Sequence, residues 1–319
     1  MFKHLNDKTL AYIKLILVIV VLGSGFHVAK YLVKEVDASL VAFVRFFIAS
    51  IILLCLSIKN KSLITKISNK QILLLILTGV MGVFLYNICF FTAETLIPGN
   101  DIVILMAFTP CITVILSRIF LRHKLPFTGY LGIIIALFGT ILIIRLNAPV
   151  PQENKDLIIW DAIHKISSGQ LLALAGAFLL AAYSIFNRAL FESGLNTLTV
   201  TTYSNILGCI LLFFTSLKCT HSYALLFTQP LSFWCGMLYL AVLGTAFGYV
   251  WYAEAIAKIG VGQTAVFLNG MPVIAVIVGV FIGKSITFGA ALSGLIIILG
   301  VVITNYAVGK PHMQISQKC

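Results

Sequence analysis

Ionisable side chains interrupt several long apolar stretches of this sequence. A charge in apolar surroundings is costly unless it is paired or faces water, so such residues are functional candidates by default. Cations at these depths can bind carboxylates, and acids can bind amines or protons. The candidates are, in chain order, His27, Lys30, Arg45, Glu94, Arg188 and Glu254.

Each candidate also has a structural interpretation. Lys30 and Arg188 fit snorkelling toward lipid headgroups equally well. Glu94 and Glu254 fit ordinary loop acids. Arg45 lies eight residues inside its apolar stretch, too deep to snorkel easily, and we predict that it faces the interior. A hydrogen-bonded interior histidine is a simpler interpretation of His27 than a proton site.

Aromatic and amide side chains occur at similar depths. Amides supply both a donor and an acceptor, and aromatic faces stack on rings or attract cations. We predict that these residues line a polar cavity, although Tyr249, Trp251 and Tyr252 also fit an interfacial aromatic belt. The set is Tyr86, Asn87, Tyr183, Asn187, Tyr203, Asn205, Tyr249, Trp251, Tyr252 and Asn269.

Two prolines lie inside apolar stretches, in "LMAFTPCITV" (105–114) and "FLNGMPVIAV" (267–276). A proline in a helix interior frees a carbonyl group and bends the helix. Free backbone groups at membrane depth are tolerated where they are buried or line a cavity. We therefore predict that the helices of Pro110 and Pro272 line a central site; the alternative is a packing kink.

The composition is that of an all-α membrane protein. The 319 residues are 60% apolar and 10% charged, against about 25% charged in soluble domains. Backbone groups in lipid must be satisfied internally, which predicts helices. Ten stretches are long enough to span a bilayer: 10–33, 38–58, 71–91, 98–117, 127–146, 169–187, 198–217, 232–253, 263–283 and 287–307.

The net charge of +12 follows the membrane topology rather than a nucleic-acid surface. With ten crossings, 14 of the 22 Lys and Arg residues share a side with the N-terminus and six lie opposite. This positive-inside asymmetry predicts two cytoplasmic termini and a lipid bilayer, not nucleic acid, as the partner. Cys219 and Cys235 lie near the same outer face, where they could pair or remain separate thiols. No Cys/His spacing predicts a metal, and we expect no cofactor.

The two halves of the sequence are related by an offset of 162 residues. Pro110 matches Pro272, and "AETLIPGND" (93–101) aligns with "AIAKIGVGQ" (255–263). We predict a first five-helix repeat at 1–147, an external linker at 148–168, a second repeat at 169–309 and a cytoplasmic tail at 310–319. A repeat with an odd number of crossings inserts its copy upside down, an arrangement typical of transporters.

These motifs resemble the drug/metabolite transporter superfamily of the EamA type. The resemblance covers nearly the whole chain and includes "LGSGFHVAKYLV" (22–33), "VAFVRFFIAS" (41–50), "GYLGIIIALFGTILI" (129–143) and "SGLIIILGVVI" (293–303). The family usually has an acid thirteen residues after each proline. His123 and Ser285 occupy those positions here.

The resemblance implies a secondary transporter of the bacterial inner membrane that moves a small polar metabolite by alternating access. Amino acids and related compounds are the implied substrates, with a nucleotide-like metabolite such as S-adenosylmethionine as the alternative. A proton, sodium or a counter-substrate is the implied coupling partner. A membrane-embedded enzyme or a structural or sensor protein is the rival class, but no catalytic cluster is present in the sequence.

The distribution of charges also predicts gates. If Glu94 reaches Lys30 or Arg45, that pair could close the outer mouth of the cavity. If Glu254 reaches Arg188, that pair could close the inner mouth. Buried ion pairs gain little net energy, which suits a switch that forms and breaks.

Overall fold

The computed structural model describes residues 7–62, 67–97, 102, 105–106, 108–121, 126–147, 167–281 and 288–309. Within these ranges the regular structure is entirely helical. There are ten long helical segments: α1 Asp7–Glu35, α2 Ala38–Lys59, α3 Asn69–Leu96, α4 Thr109–Phe120, α5 Phe127–Asn147, α6 Ser168–Glu192, α7 Thr197–Ser216, α8 Leu231–Ile259, α9 Val261–Phe281 and α10 Phe288–Gly309.

The ten segments confirm the predicted all-α membrane fold. Seven are long and apolar enough to span a bilayer, and α4, α5 and α10 contribute shorter apolar helices within the described part of the chain. A short helix at Thr220–Phe227, between α7 and α8, was not predicted. The predicted linker and tail lie outside the described residues, apart from residues 167 and 168 of the linker region.

Local sequence signals account for several helix ends. Ser68 and Gln71 form a capping box at the start of α3, and Ser167 and Gln170 form another at the start of α6. Each box satisfies backbone N–H groups that no helical carbonyl can reach. Gly260 has φ +94°, a conformation that favours glycine, and it joins α8 directly to α9.

Two helices change their hydrogen-bonding pattern at equivalent positions of the repeat. Gly79–Leu85 in α3 and Tyr239–Phe247 in α8 are π-helical. At the offset of 162 both segments end at the same repeat position, and Gly82 and Gly244 are equivalent within them. π-Helical segments are rare and often mark functional sites.

Both predicted proline positions mark the beginning of a helical stretch rather than a bend in its middle. Pro110 lies in the first turn of α4. In α9, the 3₁₀ segment Leu268–Gly270 separates Val261–Phe267 from Met271–Phe281, so Pro272 again lies in a first turn. A first-turn N–H has no intrahelical partner, so proline is tolerated there without losing a hydrogen bond.

The two repeats pack into one another. Helix α1 packs on α8 and α9, and α6 packs correspondingly on α3 and α4. Helix α2 contacts the π-helical part of α8, and α7 contacts that of α3. The last helices of the repeats, α5 and α10, also pack together, with Gly132 and Gly300 at the contact. The central space is therefore enclosed by helices of both halves.

The cysteines near the predicted outer face are separate free thiols. Cys219 lies between α7 and the short helix, where burial and the nearby Asp37 carboxylate raise the pKa of its thiol to about 11. Cys235 is exposed on α8. The structure therefore does not contain the Cys219–Cys235 disulfide that their shared face allowed.

Candidate functional site

A cavity of about 90 Å³ lies between the two halves. This volume accommodates several water molecules, since one water needs roughly 10–15 Å³ on the same scale. Helices α1, α2, α3, α4, α6, α8 and α9 all contribute to its wall. The polar lining residues are Arg45, Tyr86, Asn87, Thr109, Tyr183, Tyr249, Tyr252 and Asn269.

Arg45 is the buried cation of this cavity. Arg45 is only 6% exposed. Its Nε donates a hydrogen bond of 2.6 Å to Oγ1 of Thr245, which lies in the π-helical segment of α8. The guanidinium also lies 5.5 Å from the ring centroid of Phe46 and 5.9 Å from that of Phe91. Among the described residues no carboxylate pairs with it. The predicted Glu94–Arg45 pair is therefore not formed.

Several polar atoms around the cavity have no hydrogen-bond partner among the described residues. They include the hydroxyl group of Thr109 and both amide atoms of Asn269. Buried polar groups are normally paired, so this cluster is suited to a bound polar molecule or water. The rings of Tyr183 and Tyr249 meet edge to face at 5.7 Å beside these atoms.

One end of α1 carries an ion pair that the sequence predicted. Nζ of Lys30 lies 3.9 Å from Oε2 of Glu94 and also donates a hydrogen bond to the backbone carbonyl of Glu94. Ala29, next to Lys30 in the sequence, and Phe90, one helical turn before Glu94, line the cavity. The pair therefore lies at one mouth of the cavity.

The opposite end of α1 carries a different pair from the predicted one. Glu254 binds Nζ of Lys14 at 2.6 Å rather than Arg188. Arg188 instead donates from Nη1 to the carbonyl groups of Ile256 and Ala257, at 3.1 and 3.0 Å. These are among the last carbonyls of α8, which basic side chains commonly cap. Nε of Arg188 also pairs with Glu192 at 2.7 Å.

Six predicted residues whose side chains the structure describes do not contribute to the cavity wall. His27 contacts the carbonyl of Ala275 through Nε2 at 3.3 Å, as an interior histidine would. Partly exposed Trp251 packs against Phe247, which fits the alternative of an interfacial aromatic. The remaining four are Pro110, Asn187, Tyr203 and Asn205, and the side chain of Pro272 lies outside the described residues.

Three of those four are polar residues buried or packed elsewhere. Nδ2 of buried Asn205 donates to the Thr201 carbonyl at 2.8 Å. Asn187 is buried one turn beyond Tyr183. Tyr203 packs against the apolar cluster that contains Leu75. Their depth in the sequence matched that of the lining residues. Tyr203 and Asn205 lie on α7, which contributes no described residue to the cavity wall, and Asn187 lies one turn farther along α6 than Tyr183.

The structure adds residues that the sequence reasoning missed. Lys14 and Thr245 were not among the predicted site residues. Phe26, Phe90, Met106 and Met271 line the cavity beside the polar set. Apolar lining residues have no sequence signal that separates them from core residues.

The family model for the EamA-like transporter family matches residues 9–145 and 167–306. The chain belongs to this family, and it is a small-molecule transporter of the membrane rather than an enzyme. A solved crystal structure with 18% sequence identity has a TM-score of 0.70, covering 94% of this chain and 98% of that one, and shows the same fold.

Curated relatives include several transporters. The "Uncharacterized transporter YyaM" of Bacillus subtilis is 28% identical over 97% of this chain and 96% of its own length. The "Probable terminal-alkyne amino-acid exporter" of Streptantibioticus cattleyicolor is 23% identical over 72% and 71%. The "Pseudopaline exporter CntI" of Pseudomonas aeruginosa is 30% identical over only 41% and 46%.

Proposed function

We propose that this transporter carries a small carboxylate-bearing metabolite, an amino acid or a close relative, through the cavity by alternating access. The observation that carries the proposal is Arg45, a buried guanidinium on the cavity wall that pairs with no carboxylate among the described residues. A buried charge without a partner is strongly unfavourable, and a bound carboxylate would supply that partner.

The surrounding groups suit the rest of a zwitterion. The hydroxyl oxygen of Thr109 and the amide oxygen of Asn269 are free to accept from an ammonium group. The rings of Tyr86, Tyr249 and Phe90 offer apolar and π faces to a substrate side chain. The amino-acid exporter among the relatives supports the same class and the outward direction.

The charge asymmetry of the sequence supports an inner-membrane location with both termini cytoplasmic. In that orientation Lys14–Glu254 lies at the cytoplasmic mouth and Lys30–Glu94 at the external mouth. Both pairs are present together in this conformation. Alternating access would break one pair while the other holds the opposite mouth shut.

Ligand binding to the purified protein tests the substrate class. A thermal-shift screen with L-amino acids and their C-terminal amides should raise the melting temperature only for carboxylates, since binding to the folded state stabilises it by mass action. Arg45→Gln should weaken binding at least about tenfold, as expected for a lost charged hydrogen bond.

Arg118→Gln is the matched control, because Arg118 is exposed at the end of α4. This variant should bind like the parent. Equal binding of the amides, or unchanged affinity in Arg45→Gln, would contradict the proposed substrate class. If a carboxylate binds to the protein but is not transported when the protein is reconstituted in vesicles, a sensor would be favoured over a transporter.

A further inference from the structure

Glu94 is a buried acid whose carboxylate is poorly stabilised. The residue is 1% exposed, and neither Oε1 nor Oε2 has a hydrogen-bond partner among the described residues. Its nearest cation is Nζ of Lys30 at 3.9 Å, and that amine donates its hydrogen bond to the Glu94 backbone carbonyl instead. A buried carboxylate normally accepts several hydrogen bonds.

The helices around Glu94 supply few other charges. The last part of α3 packs on α1, α2 and α6. Helix α1 contributes Lys30 and, one turn earlier, His27, while its Lys34 and Glu35 are exposed beyond the pair. Helix α2 contributes Arg45, which lies over the ring of Phe91.

The remaining ionisable groups do not stabilise the carboxylate. On α3 itself these groups are Tyr86 and Cys89. In α6 they are Tyr183, which faces the cavity, and Arg188 and Glu192 at the other end of the helix. Among the described residues, Lys30 is therefore the cation placed to stabilise an ionised Glu94.

We propose that Glu94 is a proton-binding site that couples the external mouth to pH; this coupling rests on the transport function proposed above. When the mouth opens, Lys30 moves into water and the buried carboxylate loses its cation. A hydronium ion from the external solution then transfers its proton to a carboxylate oxygen of Glu94, leaving water and a neutral acid. Protonation thus stabilises the outward-open state, and closure returns the proton as Lys30 pairs again.

Spin-label distances across the mouth test this without any substrate. Nitroxides would be placed at positions 34 and 96 of a cysteine-free protein in nanodiscs, both exposed near the pair. Electron–electron distances would be recorded between pH 5 and pH 8.5. The parent should shift to longer distances as the pH falls. Glu94→Gln, which mimics the protonated acid, should show the long distances at every pH.

A second variant keeps the test decisive if Glu94→Gln fails to fold. Lys30→Gln removes the pair that protonation of Glu94 breaks, so this variant should show the long distances at every pH, as Glu94→Gln does. Asp7→Asn, which alters an acid that is 85% exposed, is the control and should retain the pH response of the parent. Replacing sodium by choline in the buffer should leave the distances and their pH response unchanged.

Three results would overturn the proposal. One is a Glu94→Gln variant that follows pH as the parent does. Another is a parent protein whose distances do not change with pH. In that case Glu94 would act at most as a gate, whatever distances Glu94→Gln shows. The third is a response that follows sodium instead of pH. Because no substrate is added, none of these results bears on carboxylate binding at Arg45.

Discussion

Lys14 and Lys30 place both mouth contacts on a single helix. Sixteen residues separate them along α1, which corresponds to about 24 Å of helix. Each pairs with an acid from a different repeat, Glu254 in α8 and Glu94 in α3. A tilt of α1 that lengthens one contact can leave the other intact, which is what opposing gates require.

Removing the acid of the Lys14 pair should open the mouth at that end. Glu254→Gln should increase maleimide labelling of a single cysteine at cavity position 22, measured in inside-out vesicles. An ion pair contributes up to about 1 kcal/mol, which corresponds to a roughly fivefold faster reaction. The exchange Lys14→Glu with Glu254→Lys should restore the parent rate.

Asp7→Asn is the control for this experiment. It breaks the 3.7 Å contact of Lys258 with an acid that is 85% exposed, so its effect should be negligible. If the Glu254 variant labels no faster than the Asp7 variant, the Lys14 pair does not close this mouth.

Thr245 should set the position of the Arg45 guanidinium. Its hydroxyl accepts from Nε of Arg45 and donates to the Leu240 carbonyl at 3.0 Å. Thr245→Val removes both bonds at nearly constant volume and should weaken carboxylate binding several-fold, as expected for about 1 kcal/mol. Thr245→Ser should retain the parent affinity in the same calorimetric titration. Equal affinities for all three proteins would rule out this positioning role.

The depth of Arg45 in its apolar stretch was enough to predict an interior position. Its partner could not be predicted, because Thr245 is 200 residues away and hydroxyl groups in helices usually bond to their own backbone. Lys14, the partner of Glu254, could not be predicted for the same reason, because it is 240 residues away from Glu254 in the sequence. Arg188 is closer in sequence and was therefore the predicted partner. Pairing across repeats depends on helix rotation, which depth alone does not determine.

The π-helical segments are the corresponding feature at the scale of elements. They occur at matching positions of both repeats, and each is packed against the second helix of the other repeat. The sequence predicted the ten spans because apolar length is a strong signal. It did not predict the π-helical or 3₁₀ segments, because those depend on packing between helices.

Because Gly82 has no side chain, Tyr183 of the cavity wall can pack on the π-helical part of α3. A Cβ atom there would lie 1.9 Å from Cδ2 of Tyr183. Gly82→Ala should displace that ring and lower stability by about 1–3 kcal/mol, as overpacking does. The melting temperature should fall, and carboxylate affinity should fall with it.

Gly294→Ala provides the comparison in another helix. Its added Cβ would meet Val273 at 3.7 Å, an ordinary contact. Alanine also has the higher helix propensity, so this variant should be as stable as the parent or slightly more so. If Gly82→Ala is no less stable than Gly294→Ala, the contact with Tyr183 is not a tight constraint.

The whole molecule is predicted to cross the membrane ten times with both ends inside. A cysteine at position 154, in the predicted external linker, should react with an impermeant maleimide on intact cells. A cysteine at position 61, between α2 and α3, should react only after permeabilisation. Protection of position 154 would contradict this topology.

Transport by the reconstituted protein is the most direct test of the central claim that substrate passes through the Arg45 cavity. Proteoliposomes preloaded with a carboxylate that stabilises the protein should take up the radiolabelled compound by exchange, saturably. The account predicts that Arg45→Gln abolishes this exchange while Arg118→Gln retains it. Exchange at the parent rate in folded Arg45→Gln would contradict the account.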